Sequence, residues 1–215
     1  MCSCRENYLT ASTYLSSRAF PSSLLSSTPT LVHSPGTKPI LIPGVDSLNH
    51  ARGHSVSWLV TLKDTKPPSS TAKITLVHHP SAFKDQELFN NYGLKPNAEL
   101  ILGYGFSLQN NPDDTIVLKI GGIQGGKWEV GRNSQGAEGL WKEILNSFVE
   151  DGSEEPTYED ILDASGMLQE MVEGLIARLP EAKISETSQA RPEVVQMFQD
   201  YLEGDYLRLT KHYVY

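Results

Sequence analysis

The sequence is poor in three things, and each shortage excludes a class. Two cysteines among 215 residues, Cys2 and Cys4, cannot build a disulfide framework or a four-cysteine zinc site, and they point to a reducing compartment. No run approaches the roughly 18 consecutive apolar residues that a spanning helix needs, and the opening segment lacks the apolar core of a secretory signal, so a soluble chain is expected. Basic side chains are outnumbered, 18 to 26, for a formal charge of −8. Without clustered Lys and Arg there is no footprint for nucleic acid.

The acid is unevenly placed. Residues 1–150 carry 13 basic and 12 acidic side chains, whereas residues 151–215 carry 5 and 14. Residues 1–40 hold 14 Ser or Thr with few charges, a transit-peptide-like composition. Against that reading, Tyr8, Leu9, Ser12, Leu15 and Ala19 recur at helical spacing up to Pro21.

Beyond a Ser/Pro/Gly-rich connection over 22–37, the run Pro39–Pro43 opens an apolar segment. Residues 55–62 and 73–78 are rich in Val, Ile, Thr and Leu and predict paired strands, with the polar break 65–71 between them. Pro96 suits the first turn of a short helix carrying Ala98, Leu100, Ile101 and Leu102, and residues 115–120 read as a strand. From Gly136 the period changes to 3.6. Leu140, Trp141, Ile144, Leu145, Phe148 and Val149 mark one helix. Thr157 and Asp160 form a capping box for a second, with a stripe from Ile161 to Leu179 stopped by Pro180, and Pro192 starts a third that shares their core. The expected pattern is strands to about residue 120 and helices beyond.

Two motifs invite chemistry and do not hold it. Gly121 to Lys127 matches the glycine and lysine spacing of a phosphate loop, but Trp128 stands where a magnesium-binding Ser or Thr is required, and no convincing helix follows; it reads as a surface hairpin. His50, His54, His78 and His79 have no Cys or acidic partner at ligand spacing, and read as solvent-facing or structural, with no metal expected. The acidic run from Glu150 to Asp160 reads as a solvated loop and helix start.

Four segments stand above these: Ser17-Arg18-Ala19-Phe20; Pro43 to Asn49-His50 with Asp46 between; Glu87 to Tyr92-Gly93; and Asn97-Ala98-Glu99-Leu100 to Tyr104-Gly105-Phe106. In that order they resemble the Rubisco large-subunit methyltransferase-like branch of SET-domain protein-lysine methyltransferases, over about residues 8–120. The resemblance implies an α+β fold. Residues 1–38 would be the end of a helical insert and a linker, 39–112 the C-terminal part of a SET-type β-fold, and 113–215 a helical, substrate-binding-like domain. That family has a further N-terminal part of SET, with a G-x-G loop, ahead of the SRAF-bearing helix. The chain is therefore expected to be N-terminally incomplete.

The resemblance also implies S-adenosyl-L-methionine as cofactor and a protein substrate with a target lysine, for a monomer in cytoplasm or nucleus. Carried over by position, Asn49 and His50 would contact the cofactor largely through backbone groups. Tyr92 would be the catalytic hydroxyl near the methyl sulfur, and Phe106 an aromatic beside the cofactor. Tyr104 would wall the lysine channel, and Ser17, Arg18, Phe20 and Asp46 would line the substrate entry. Phe20, where the family's histidine-methylating branch has Asn, favours lysine. The residue types suit the reaction. Methyl transfer is an in-line displacement that asks for placement of a neutral amine in a dry channel, and an amine with a reference pKa of about 10.4 is held neutral by apolar and aromatic walls. The other expectation is a catalytically inactive SET remnant whose helical region, with apolar grooves and an acidic rim, serves as a protein-interaction module.

Overall fold

The computed structural model describes residues 4–26, 28–31, 34–61, 73–121, 126–149, 155–180 and 189–211, with 205–211 described by backbone alone. The architecture is α+β, and the chain forms two compact units, residues 1–94 and 95–215.

In the first unit, α1 (Cys4–Arg18) leads into β1 (Ala19–Pro21), followed by β2 (Pro39–Leu41), β3 (Val56–Thr61) and β4 (Lys73–His78). The expected first helix is present but ends at Arg18, and Ala19 opens a strand instead. Glu6 in its first turn and Arg18 in its last complement the helix dipole. Its apolar side chains do not converge on a core, since Tyr8 is 71% and Tyr14 58% exposed. β1 pairs antiparallel with β2, placing Phe20 opposite Ile40 and Pro21 opposite Pro39. Neither proline has an N–H to give at that pair, and the ladder is carried one step further by the Ser22 N–H, which donates to the Lys38 carbonyl at 2.8 Å. β3 and β4 pair antiparallel with Trp58 opposite Leu76, as their β-branched content predicts. The polar break at 65–71 lies outside the described residues.

In the second unit, α2 (Asn97–Tyr104) precedes the antiparallel pair β5 (Ile116–Lys119) and β6 (Lys127–Val130), then α3 (Ala137–Asn146), α4 (Tyr158–Ile176) and α5 (Pro192–Lys211). Pro96 sits just before α2 as its N-cap rather than in its first turn. Strand structure continues past residue 120: the glycine-rich segment joins two paired strands, as a hairpin should, although its tip, 122–125, lies outside the described residues. Leu118, Ile120, Val130, Leu140, Ile144 and Ala164 form the buried core, with Trp128, Trp141, Phe148, Met171 and Leu175 packed around it. Burying Leu140 and Ile144 contributes about 1.5–3 kcal/mol each. Gly139 is required by this packing, because a Cβ there would lie 2.3 Å from a ring carbon of Trp128. That indole N–H donates to Glu143 Oε2 at 2.6 Å.

Three helical expectations are corrected. Ile161 faces outward, 39% exposed, because the core stripe of α4 begins at Ala164. α4 ends at Ile176, four residues before Pro180, whose ring has no N–H for the Ile176 carbonyl and crowds it. α5 packs on α2 and α4, and none of its residues described with side chains joins the core cluster of α3 and α4.

The capping box is present. The Asp160 N–H donates to Thr157 Oγ1 at 3.2 Å, and the Thr157 N–H and hydroxyl donate to Asp160 Oδ2 at 2.8 and 2.7 Å. Hydrogen bonds from the Thr157 side chain and then its backbone hold the Asp160 carboxyl below its ordinary value. A lowered folded pKa stabilises above the unfolded value and is lost as pH falls through the folded one. Thermal melting followed by circular dichroism is therefore expected to show wild type losing stability below about pH 4, with a shallower loss in Asp160→Asn. Identical slopes would exclude this source. Ile144→Ala is expected to cost about 2–5 kcal/mol in a urea titration, through lost burial and a cavity.

Candidate functional site

Residues 48–51 and 90–92 are tied together by backbone and side-chain groups. The Ala51 N–H donates to the Asn90 carbonyl at 2.9 Å, and the Asn90 N–H to the Asn49 carbonyl at 2.8 Å, forming a parallel bridge between His50 and Asn90. A parallel bridge uses the groups of the residues flanking His50, so the peptide groups of His50 itself point away from Asn90. The Tyr92 N–H donates to His50 Nδ1 at 3.0 Å, and the Tyr92 hydroxyl to the Leu48 carbonyl at 2.7 Å. An Nδ1 that accepts puts the proton of the neutral ring on Nε2. The two rings lie 5.1 Å apart at 32°.

Local turn chemistry sets this register. Asn91 Oδ1 accepts from the Gly93 N–H at 2.9 Å while its amide donates to the His54 carbonyl at 3.1 Å. Gly93 has φ +96°, a region glycine enters without strain. Asn49 donates through Nδ2 to Glu87 Oε1 at 2.7 Å, which joins the second and third sequence segments a second time.

The residues expected at the substrate entry are arranged as follows. Arg18 Nη1 donates to the Asp46 carbonyl at 2.6 Å, so the first and second segments meet there. The Asp46 carboxylate accepts from the Gly44 N–H at 3.0 Å, a local turn. Ser17 donates back to the Thr13 carbonyl of its own helix at 2.7 Å. Phe20 packs on Trp58, centroids 5.2 Å apart. Tyr104 and Phe106 belong to the second unit, with ring centroids 6.2 Å apart at 54°, and Lys95 Nζ lies 5.9 Å from the Tyr104 centroid.

Two histidines that tempted a metal reading have other business. His78 Nδ1 donates to the Pro80 carbonyl at 2.8 Å, so its Nε2 accepts, and His54 Nε2 is the donor that faces it. Among the described residues no three His, Cys, Asp or Glu side chains gather as a metal site.

Half of the chain aligns with known proteins. Over 113 residues, 53% of the chain, it is 38% identical to ribosomal lysine N-methyltransferase set10 of Schizosaccharomyces pombe, covering 18% of that protein. Over 104 residues, 48% of the chain, it is 36% identical to ribosomal lysine N-methyltransferase 1 of Saccharomyces cerevisiae, covering 15% of it. Over 84 residues, 38% of the chain, it is 31% identical to N-lysine methyltransferase SETD6 of Rattus norvegicus, covering 16% of it. This chain is similar to lysine N-methyltransferases. It spans less than a fifth of the length of those relatives. No family model matches.

The similarity to lysine N-methyltransferases agrees with the resemblance carried by the four segments, while the contacts give roles to residues to which the sequence assigned none. Trp58, Leu48, Glu87 and Asn90 each hold a site candidate in place. Leu48 acts through its carbonyl and Asn90 through its backbone, which no residue-type pattern announces; Trp58 had a signal, as the one aromatic in β3.

Removing the Nδ1 acceptor should strand the Tyr92 N–H. His50→Ala is expected to destabilise the protein by about 1–3 kcal/mol, and His50→Asn, whose carbonyl oxygen reaches a similar point, to recover part of that. Equal losses in chemical denaturation would show that Nδ1 carries no share of the stability.

Proposed function

We propose that the chain is part of an S-adenosyl-L-methionine-dependent protein-lysine N-methyltransferase of SET type, acting on a protein substrate. One observation carries the reading: in a chain similar to lysine N-methyltransferases, the Asn49-His50 pair and Tyr92, 42 positions on from His50, are hydrogen-bonded neighbours. Within this reading, residues 39–112 are the C-terminal part of the SET fold and 113–215 the helical substrate-binding-like region. The monomeric state and a cytoplasmic or nuclear location belong to it as well. Among the described residues no helix is long and apolar enough to cross a membrane.

The residues present fit the cofactor. The bridge sets His50 beside Asn90 and so keeps the Asn49-His50 pair, which the resemblance assigns to the cofactor, next to Tyr92. Bound S-adenosyl-L-methionine supplies a methyl group already activated by its sulfonium. What remains for the protein is placement. The Tyr92 hydroxyl, fixed by donation to Leu48, presents an acceptor oxygen in one orientation, suited to the polarised C–H groups of a methyl cation equivalent. Tyr104 and Phe106 supply the aromatic surface that the resemblance assigns to the lysine channel and the cofactor. Aromatic walls exclude water and favour the neutral amine over the ammonium. Ser17, Arg18, Phe20 and Asp46 take the role of substrate entry, the Arg18 to Asp46 contact fixing two of them.

Titration calorimetry with S-adenosyl-L-methionine is expected to show binding, and a tritiated methyl donor to label lysines of a protein acceptor. A folded chain that did neither would overturn the proposal. Tyr92→Phe is expected to lower kcat by about 100-fold, in the range for removing one oriented polar group at a reacting centre. Unchanged turnover in that variant would remove Tyr92 from catalysis.

A further inference from the structure

The second unit carries a buried polar knot that none of the roles above uses. Asn97, Asn111 and Asp114 are 1%, 1% and 4% exposed. Asn97 Nδ2 donates to the Leu108 carbonyl at 2.9 Å, while the Leu108 N–H donates to Asn97 Oδ1 at 2.8 Å. This one side chain thus pairs with Leu108 as a neighbouring strand would. The same Nδ2 reaches Asp114 Oδ2 at 3.3 Å, and the Asn97 N–H donates to Asp114 Oδ1 at 2.5 Å. Asn111 Nδ2 donates to the Lys95 carbonyl at 2.8 Å and lies 3.3 Å from Asp114 Oδ1.

These partners fix the Asn97 amide one way round. Flipped, its oxygen would face the Leu108 carbonyl and the Asp114 carboxylate, both acceptors, and its NH2 the Leu108 N–H. The Asp114 carboxylate is as constrained, accepting from the Asn97 N–H and from the Asn97 and Asn111 amides. α5 closes over it: a Cβ on Gly204 would lie 2.6 Å from Asp114 Oδ2.

The clamp grips the chain two residues past Phe106. At the other end, Gly105 takes φ +77° and its N–H bonds the Leu100 and Ile101 carbonyls at 3.0 and 3.1 Å, ending α2 just after Tyr104. The segment Tyr104-Gly105-Phe106 is therefore held between a helix cap and the Asn97 amide. We infer that Asn97, oriented by Asp114, is a positioning residue that sets the placement of the Tyr104 and Phe106 rings for methyl transfer. The inference rests on the proposed methyltransferase reading.

Asn97→Ala and Asn111→Ala each lose one side-chain amide contact with Asp114, the backbone N–H of residue 97 keeping its own, but only the first releases Leu108. Both are measured well below their melting temperatures. Asn97→Ala is expected to lower kcat at least tenfold, with a changed ratio of mono-, di- and trimethylated product, and Asn111→Ala to keep the wild-type ratio and kcat within about twofold. Amide hydrogen exchange reads the clamp without activity: Leu108 should exchange slowly in wild type and in Asn111→Ala, and fast in Asn97→Ala. An active wild type with equal kcat and product ratio in the two variants would overturn the inference, as would slow Leu108 exchange in Asn97→Ala. A wild type with no methyl transfer at all would instead strike the underlying reading. Should Asn97→Ala fail to fold, Asn97→Ser, which keeps a hydroxyl donor beside Asp114 but is too short to hold both Leu108 groups, is held to the same outcomes.

Discussion

The first unit depends on a short staple, the bonds that join Leu48 to Ala51 with Asn90 to Tyr92. Asn90 is 4% exposed, and both of its peptide groups are taken by Asn49 and Ala51. A buried peptide group without a partner costs more than a made bond contributes, so this pairing is enforced by what its loss would leave behind. The same constraint reaches the side chains: once Asn90 is paired, the Tyr92 N–H meets His50 Nδ1 and its hydroxyl meets Leu48. Everything said of Asn49, His50 and Tyr92 as a group follows from that staple. The unit has little apolar core to do the job otherwise. Among its described residues Leu24 is the buried large hydrophobic, while Leu59, Phe83 and Leu88 are exposed.

The second unit is ordered in two ways at once. β5, β6, α3 and α4 enclose an apolar cluster around Ile144, of the kind that tolerates volume-conserving change. The Asn97, Asn111 and Asp114 knot tolerates none, because each group is committed to a partner of one polarity. A buried carboxylate costs several kcal/mol to desolvate unless hydrogen bonds replace its water, and here amide donors supply the replacement. The residues flanking the Tyr104-Gly105-Phe106 turn are held by this second kind of order.

Periodicity made much of the fold legible and very little of the site. α3 and α4 could be read because an apolar stripe at helical spacing runs long enough in each to be seen, and the Thr157 box because its two residues act on each other locally. β3 and β4 were visible from their β-branched runs. β1 and β2 were not, since three-residue strands have no period and prolines at both margins read as loop. β6 was hidden by the glycines before it, which speak for turns and say nothing of the strand beyond. For the candidate site, residue types and order nominate Asn49, His50, Tyr92, Tyr104 and Phe106 by resemblance. The contacts that hold them were invisible, because carbonyls such as that of Leu48 belong to every residue, and because buried amides such as Asn97 look like surface in a composition.

Under the proposed methyltransferase reading, directional bonds rather than apolar packing next to the candidate residues have a physical reason. An apolar core fixes volume but lets a side chain hop among rotamers of similar shape, whereas an in-line displacement loses rate when its partners are misplaced by an ångström. A hydrogen bond at 2.7–3.0 Å fixes both the distance and the direction of an atom. Tyr92 is located by two such bonds, through its N–H and its hydroxyl, and the segment following Phe106 by two from one amide. Neither set involves an ion pair, so their geometry is not screened by salt and does not await the titration of a lysine or arginine. Placement of this kind is what a reaction needs when the methyl group arrives already activated and the protein has only to hold an amine in line with it.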